Sequence, residues 1–120
     1  MGRFLPLVLV LAGGCAHHAT PVPSTSAMWH WAQTSTEPGP AASRLAGRYR
    51  AERGDRFEFR VVDETTLEMR HAKHTYRLTR TPSGAYRLPG HHGVFFREVD
   101  GEMVVLVGYC YDHVVARRVG

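Results

Sequence analysis

At positions 56–61 the sequence reads Arg56-Phe57-Glu58-Phe59-Arg60-Val61, with charged and apolar residues alternating at every step. Because successive side chains of a strand point to opposite faces, this period of two predicts a strand with one buried and one solvated face. From Leu45 onward, apolar residues are not sustained at helical spacing. The stretch therefore predicts an all-β fold.

The same alternation recurs in shorter form at residues 67–70, 76–79 and 86–88, and turn-forming residues separate these runs. Asp100-Gly101 is the strongest turn signal, because a type I′ turn needs positive φ and this pair adopts it at little cost. Residues 103–107 are apolar at every position, so we expect a strand that is central or covered from outside. The pattern predicts a small antiparallel meander barrel or sandwich of seven to eight strands.

The N-terminus has the three-part layout of a secretory signal. Arg3 supplies a positive start, residues 4–11 form an apolar run broken only by Pro6, and small residues lead to Cys15. The run is too short to span a bilayer. Leu11-Ala12-Gly13-Gly14-Cys15 resembles the lipobox of bacterial lipoproteins, and the resemblance implies cleavage before Cys15 and acylation of that cysteine. An ordinary signal peptide with an incidental cysteine is the alternative.

This resemblance implies a location and a division of the chain. We expect a lipid-anchored protein of the bacterial cell envelope, with Ala16 after the cysteine pointing to the outer membrane, facing the periplasm. Residues 1–14 are then the signal peptide, with a signal helix, and residues 44–120 the β domain. Residues 15–43 are rich in Ala, Pro, Ser and Thr and almost free of charge. Such a segment buries too little apolar surface to offset ordering, so we predict a flexible, disordered linker.

One part of this linker is apolar, Met28-Trp29-His30-Trp31. In an extended chain the two tryptophans, one residue apart, point to the same side. Three interpretations stay open, namely docking against the β domain, a position at the lipid headgroups, or contact with a partner.

The start of the β domain reads Leu45-Ala46-Gly47-Arg48-Tyr49, which resembles the G-x-W opening strand of lipocalin-like barrels, with Tyr49 in place of Trp. Similar openings occur in small β-barrel domains of periplasmic hydrolases. The inward-facing residues of such a barrel either fill its interior as core or line a shallow mouth for a small apolar ligand. The candidate ligand-binding residues are Tyr49, Phe57, Phe59, Met69, Tyr76 and Tyr86.

Histidine is abundant, and five of the eight histidines fall within residues 44–120. His71 and His74 bracket Ala72-Lys73. If those two residues form a hairpin turn, the imidazoles oppose each other with Cβ atoms about 5 Å apart, close enough to bind one metal ion. His71 and His74 are therefore candidate metal ligands, with ordinary rim or loop histidines as the alternative.

Charge and cysteine content limit the partners. A formal net charge of +4 would suit nucleic acid, but export argues against it. Anionic lipid, lipopolysaccharide or cell-wall polymers fit this charge, as does a solvated surface without a partner. If Cys15 carries lipid, Cys110 has no intramolecular disulfide partner. The apolar neighbours of Cys110 predict that it is buried, with an intermolecular disulfide as the alternative.

The sequence contains few of the residue patterns that catalysis requires. The sequence has no H-E-x-x-H motif and no phosphate-binding glycine loop, and Cys110 and His113 would point to opposite faces of one strand. We therefore predict no enzyme and no cofactor, but a non-catalytic binding or interaction module for a small apolar ligand or another envelope protein. The alternatives are a metal-binding or metal-sensing lipoprotein using His71 and His74, and an accessory domain of an envelope hydrolase system.

Overall fold

The computed structural model describes residues 22–120, which form a closed antiparallel barrel of eight strands joined in sequence order. The predicted all-β meander is confirmed, as a barrel and not a sandwich. The predicted signal peptide and the lipidation site Cys15 lie outside the described residues. The strands are β1 (Gly47–Ala51), β2 (Arg56–Asp63), β3 (Thr66–His71), β4 (His74–Arg80), β5 (Tyr86–Arg87), β6 (Gly93–Val99), β7 (Glu102–Tyr109) and β8 (Asp112–Arg118).

The alternating stretch follows its pattern from Arg56 to Arg60, whereas the apolar Val61 is 36% exposed. In β2, Phe57 and Phe59 are buried while Glu58 and Arg60 are exposed. Aromatic rings from several strands meet inside the barrel, with the Phe59 ring centroid 5.3 Å from that of Tyr49 and 5.0 Å from that of Phe96. Inward-facing side chains thus fill the interior of this small barrel.

Two tight turns set the register of the hairpins. Asp100 and Gly101 have φ angles of 49° and 83°, as the predicted type I′ turn requires. Ala72 also has a positive φ, 56°, and the two-residue turn that it begins places His71 directly opposite His74. The hairpin turn considered for Ala72-Lys73 is therefore formed, although Ala72 adopts a conformation that favours glycine.

Residues 25–34 contradict the linker prediction. They form helix α1 (Thr25–Thr34), whose first turn is capped by the Ser24 hydroxyl accepting from the Ala27 amide at 3.0 Å. Met28 is fully buried against Val104 and Leu106 on the outer face of β7. The disorder expected here is wrong, because an apolar strand face supplies the packing that the segment lacks alone.

The same packing confirms the expectation for β7, which is buried on both faces and covered from outside. After α1, a short 3-10 helix at Ala42–Arg44 leads into β1, and Leu45 closes the barrel end with no exposed surface. No helix in the described part of the chain is long and apolar enough to cross a bilayer.

Candidate functional site: an aromatic and histidine rim

Four connections lie at one end of the barrel, namely β1–β2, β3–β4, β5–β6 and β7–β8. All five histidines of residues 44–120 belong to these connections or to the strand positions beside them. Tyr109 ends β7 and Tyr111 lies in the turn that follows. We call the resulting surface the rim, and it comprises His71, His74, Tyr76, His91, Tyr109 and Tyr111.

His71 is the centre of the rim. Its ring stacks on Phe57, with centroids 4.3 Å apart, and lies beside Tyr109 at 5.7 Å. The Nδ1 atom of His71 is 2.6 Å from the Tyr109 hydroxyl oxygen, and its Nε2 atom is 3.4 Å from a carboxylate oxygen of Asp55. Asp55, His71 and Tyr109 thus form a continuous chain of polar contacts across the barrel mouth.

Arg53 stabilises the ionised form of the acidic groups beside this chain. Its guanidinium donates to Asp55 and to Asp112, each at 2.6 Å, and so joins the β1–β2 turn to the start of β8. These hydrogen bonds lower the pKa of both carboxyls. Burial raises the pKa of the Tyr109 hydroxyl. At neutral pH Asp55 is therefore ionised and Tyr109 is neutral.

Tyr111 is the exposed tyrosine of the rim. Its side chain is 74% exposed, and its ring stacks on buried Tyr109 at 5.4 Å with an interplanar angle of 26°. His91 meets both tyrosines edge-on, at 5.1 Å from Tyr109 and 6.1 Å from Tyr111. The rim thus offers a flat ring to solvent, surrounded by imidazole and hydroxyl groups.

His71, one of the two predicted metal ligands, already makes other polar contacts. His71 and His74 face each other across the ladder, but both ring nitrogens of His71 already have neighbours, Tyr109 and Asp55. Within residues 22–120, no three His, Cys, Asp or Glu side chains come together in a group that could hold a metal. Metal binding by His71 and His74 stays a prediction, and it would require His71 to release at least one contact.

A second pair of histidines lies beside the rim, under α1. Nδ1 of His92 is 3.0 Å from Nε2 of His113, and the Trp29 ring lies 5.5 Å from the first imidazole and 4.6 Å from the second. Trp31 packs under the Arg97 guanidinium, whose carbon is 4.9 Å from the ring centroid. Of the three interpretations of the tryptophans, the structure has them docked on the barrel.

The six candidate ligand-binding residues divide between core and rim. Tyr49, Phe57, Phe59, Met69 and Tyr86 are each at most 2% exposed and belong to the main core. Only Tyr76 is part-buried at the rim, where its ring lies 6.3 Å from that of Tyr109. A ligand that uses these residues without rearrangement of the core therefore meets Tyr76 alone.

Cys110 is exposed, so the prediction that it is buried is wrong. It lies in the turn after β7 and not within the strand, and its backbone amide donates to Nδ1 of His91 at 3.0 Å. Sequence reasoning also missed the association of Asp55, His71 and Tyr109. Their positions in turns and strand ends were visible, but their contacts depend on barrel closure, which brings β3 and β7 together across the mouth.

No protein-family model, curated protein or solved structure matches the chain. The short resemblances to a lipobox and to the opening strand of lipocalin-like barrels therefore stay expectations.

Proposed function

We propose that the protein is a lipid-anchored lipoprotein of the bacterial envelope, and that its barrel is a non-catalytic module that binds a small amphipathic ligand at the rim. The observation that carries this proposal is the exposed Tyr111 ring stacked on Tyr109. An exposed aromatic face favours apolar contact, and the neighbouring imidazole and hydroxyl groups supply hydrogen bonds to a polar end. The filled interior supports a ligand held at the surface, not inside.

Lipid anchoring is tested by metabolic labelling with an alkyne analogue of palmitate. We expect the label and the membrane association to be lost in Cys15→Ser. The matched control is Cys110→Ser, which removes the other cysteine and should keep both. Equal labelling of the two variants, or unlabelled wild-type protein, would contradict the anchor.

Rim binding is tested with N-phenyl-1-naphthylamine, an uncharged apolar probe whose fluorescence rises when it leaves water. Tyr111→Ala should weaken the fluorescence enhancement several-fold, because it removes the exposed ring. Val62→Ala is the control, since Val62 is 42% exposed but lies near the opposite end of the barrel. Equal enhancement in wild type and Tyr111→Ala would refute rim binding, whereas native mass spectrometry of wild type would identify any co-purified lipid.

A metal-binding role is the second candidate, and the cross-strand position of His71 and His74 favours it. Imidazole nitrogens are ordinary ligands of zinc and copper. Protein purified without a histidine tag should then carry stoichiometric zinc or copper, lost in His71→Ala and His74→Ala. His30→Ala is the control, because His30 is exposed on α1 and away from this hairpin. Metal-free protein, or loss in the control as well, would eliminate this candidate.

A further inference from the structure

The outer face of β1, β2 and β3 carries a cluster of arginines. Strand alternation points Arg48, Arg50, Arg56 and Arg70 outward, and all four are exposed. The register places Arg50 directly opposite Arg56 on one side and opposite Arg117 of β8 on the other. Like charges directly opposite across a ladder are destabilising, so this row needs a reason beyond folding.

Few acidic groups balance these arginines. Among residues 22–120, no carboxylate lies within salt-bridge distance of Arg48, Arg50 or Arg56, and Arg70 only approaches Glu58 at 3.8 Å. Some arginines elsewhere on the barrel surface have close acidic partners, as in the Arg60–Glu68 pair at 2.6 Å. The positive charge of this face is therefore available to an external anion.

The four arginines line one open groove of about 650 Å³, in which Glu58 is the sole acidic lining residue. Guanidinium groups bind phosphate through paired N–H donors, and several around one groove can hold adjacent phosphates. We define the arginine face as Arg48, Arg50, Arg56 and Arg70. Its chemistry fits phosphate groups spaced along a surface.

The path of the chain brings this face close to the proposed anchor. Val22, the first described residue, lines a neighbouring groove together with Arg50, Arg53 and Arg117. Helix α1 is docked on the barrel, so Val22 lies at the barrel surface. Seven peptide steps separate Cys15 from Val22, and a segment of that length spans at most about 25 Å. A lipid on Cys15 would thus keep Val22, and the groove that it shares with Arg50, within about 25 Å of the headgroups.

We infer that the arginine face binds the phosphate groups of anionic membrane lipids beside the acylated Cys15. This inference rests on the proposed anchoring for its geometry, while the arginine chemistry stands without it. Basic side chains near an anionic bilayer each strengthen binding about fivefold. The lipid then gives attachment, and the arginine face gives the barrel a defined side toward the membrane.

The test uses the full chain with Cys15→Ser, so that any membrane binding comes from the protein surface alone. Co-sedimentation is measured with phosphatidylcholine vesicles, with and without phosphatidylglycerol. Binding should require the anionic lipid and should weaken at least about 25-fold in Arg50→Glu/Arg56→Glu. The matched control is Arg77→Glu/Arg87→Glu, which changes net charge equally at exposed positions on β4 and β5 and should bind as the parent does.

Equal losses in the two variants would overturn the inference, because net charge alone would then explain binding. Equal binding to both kinds of vesicle would also overturn it. If inorganic phosphate raises the unfolding temperature of the parent but not of Arg50→Gln/Arg56→Gln, while anionic vesicles do not bind the parent, the face is a free-phosphate site and the headgroup assignment fails. Arg50→Gln/Arg56→Gln is a second variant that keeps the test valid if the glutamate variant misfolds. It should keep the unfolding temperature of the parent and should also lose binding.

Failure of the anchor and failure of the arginine face are distinguishable. Palmitate labelling of the wild-type protein reports only on Cys15, whereas the vesicle experiment contains no acylated cysteine. Unlabelled Cys15 with intact, arginine-dependent vesicle binding would refute the proposed anchor and retain the arginine face. Labelled Cys15 with no vesicle binding would retain the anchor and refute the arginine face.

Discussion

Gly39 and Gly84 lie in direct backbone contact, so that a Cβ atom on Gly39 would come within 2.4 Å of the Gly84 carbonyl oxygen. A Cβ atom on Gly84 would meet the Gly39 amide nitrogen at the same distance. Arg80 secures the contact by donating to the Gly39 and Pro40 carbonyls at 3.1 and 3.0 Å. The segment between α1 and β1 is therefore attached to the β4–β5 turn.

This contact predicts that Gly84→Ala destabilises the protein more than the backbone angle alone explains. Gly84 has a φ of +92° and Gly54 a φ of +108°, but nothing lies within 4 Å of a Cβ on Gly54. Both alanine variants should lose about 1–2 kcal/mol through strain, and Gly84→Ala a further 1–3 kcal/mol or so through crowding. Urea denaturation measures the difference, and equal losses would refute the crowding.

A second prediction concerns the docking of α1. Met28→Ala should detach the helix, because Met28 is the buried residue of α1 and packs on Val104 and Leu106. The free energy of unfolding should fall by about 2 kcal/mol, at the low end for such truncations, since the barrel can stay folded when the helix leaves.

Trp29 and Trp31 report on this event directly. Their fluorescence should shift to the red in Met28→Ala, and amide exchange should accelerate in residues 25–34 while the strands keep their protection. Gln33→Ala, an exposed change in the same helix, is the control. Unchanged tryptophan emission in Met28→Ala would show that the helix does not depend on this contact.

The sequence supports prediction of the barrel far better than prediction of the helix. The alternation at Phe57 and Phe59 is local, and Asp100-Gly101 carries its turn geometry in its own residue types, so neither needs distant information. Helix α1 depends on Val104 and Leu106, more than seventy residues downstream. Composition around Met28 cannot reveal a partner that only barrel closure brings near.

Only some of the contacts in the rim could be predicted from the sequence. His71 lies opposite His74 as a two-residue turn predicts, because cross-strand neighbours follow from turn length. The bond from His71 to Tyr109 joins β3 to β7, which are not adjacent in the sheet, so it follows from curvature and closure. Cys110 was misplaced because it lies in the turn between β7 and β8, where it is exposed, and not on one strand that continues to His113.

A third prediction compares two buried tyrosines. The Tyr49 hydroxyl donates to the Leu45 carbonyl at 2.9 Å, whereas the buried Tyr86 hydroxyl has no hydrogen-bond partner among residues 22–120. Tyr49→Phe should therefore cost about 1–2 kcal/mol, and Tyr86→Phe should be neutral or stabilising. Thermal and urea unfolding of both variants test this, and a comparable loss in Tyr86→Phe would show that its hydroxyl is satisfied after all.

The last prediction is a loss of stability in alkali that depends on Tyr49. Burial raises the pKa of Tyr49 from 10.0 to about 12, against a smaller opposing effect of Arg118. The folded chain then keeps the Tyr49 proton at a pH where the unfolded chain has lost it. Stability from this group is complete below about pH 10 and disappears as pH rises towards 12, by up to about 3 kcal/mol.

Tyr49→Phe has no proton to lose at this position, so its unfolding free energy should fall less steeply in the same interval. Urea denaturation of wild type and variant between about pH 9 and pH 11 measures the two slopes. Burial also raises the pKa of Tyr109, but that residue is present in both proteins and cancels in the comparison. Parallel pH profiles would mean that the Tyr49 hydroxyl titrates alike in the folded and unfolded chains, contrary to its burial beneath Leu45.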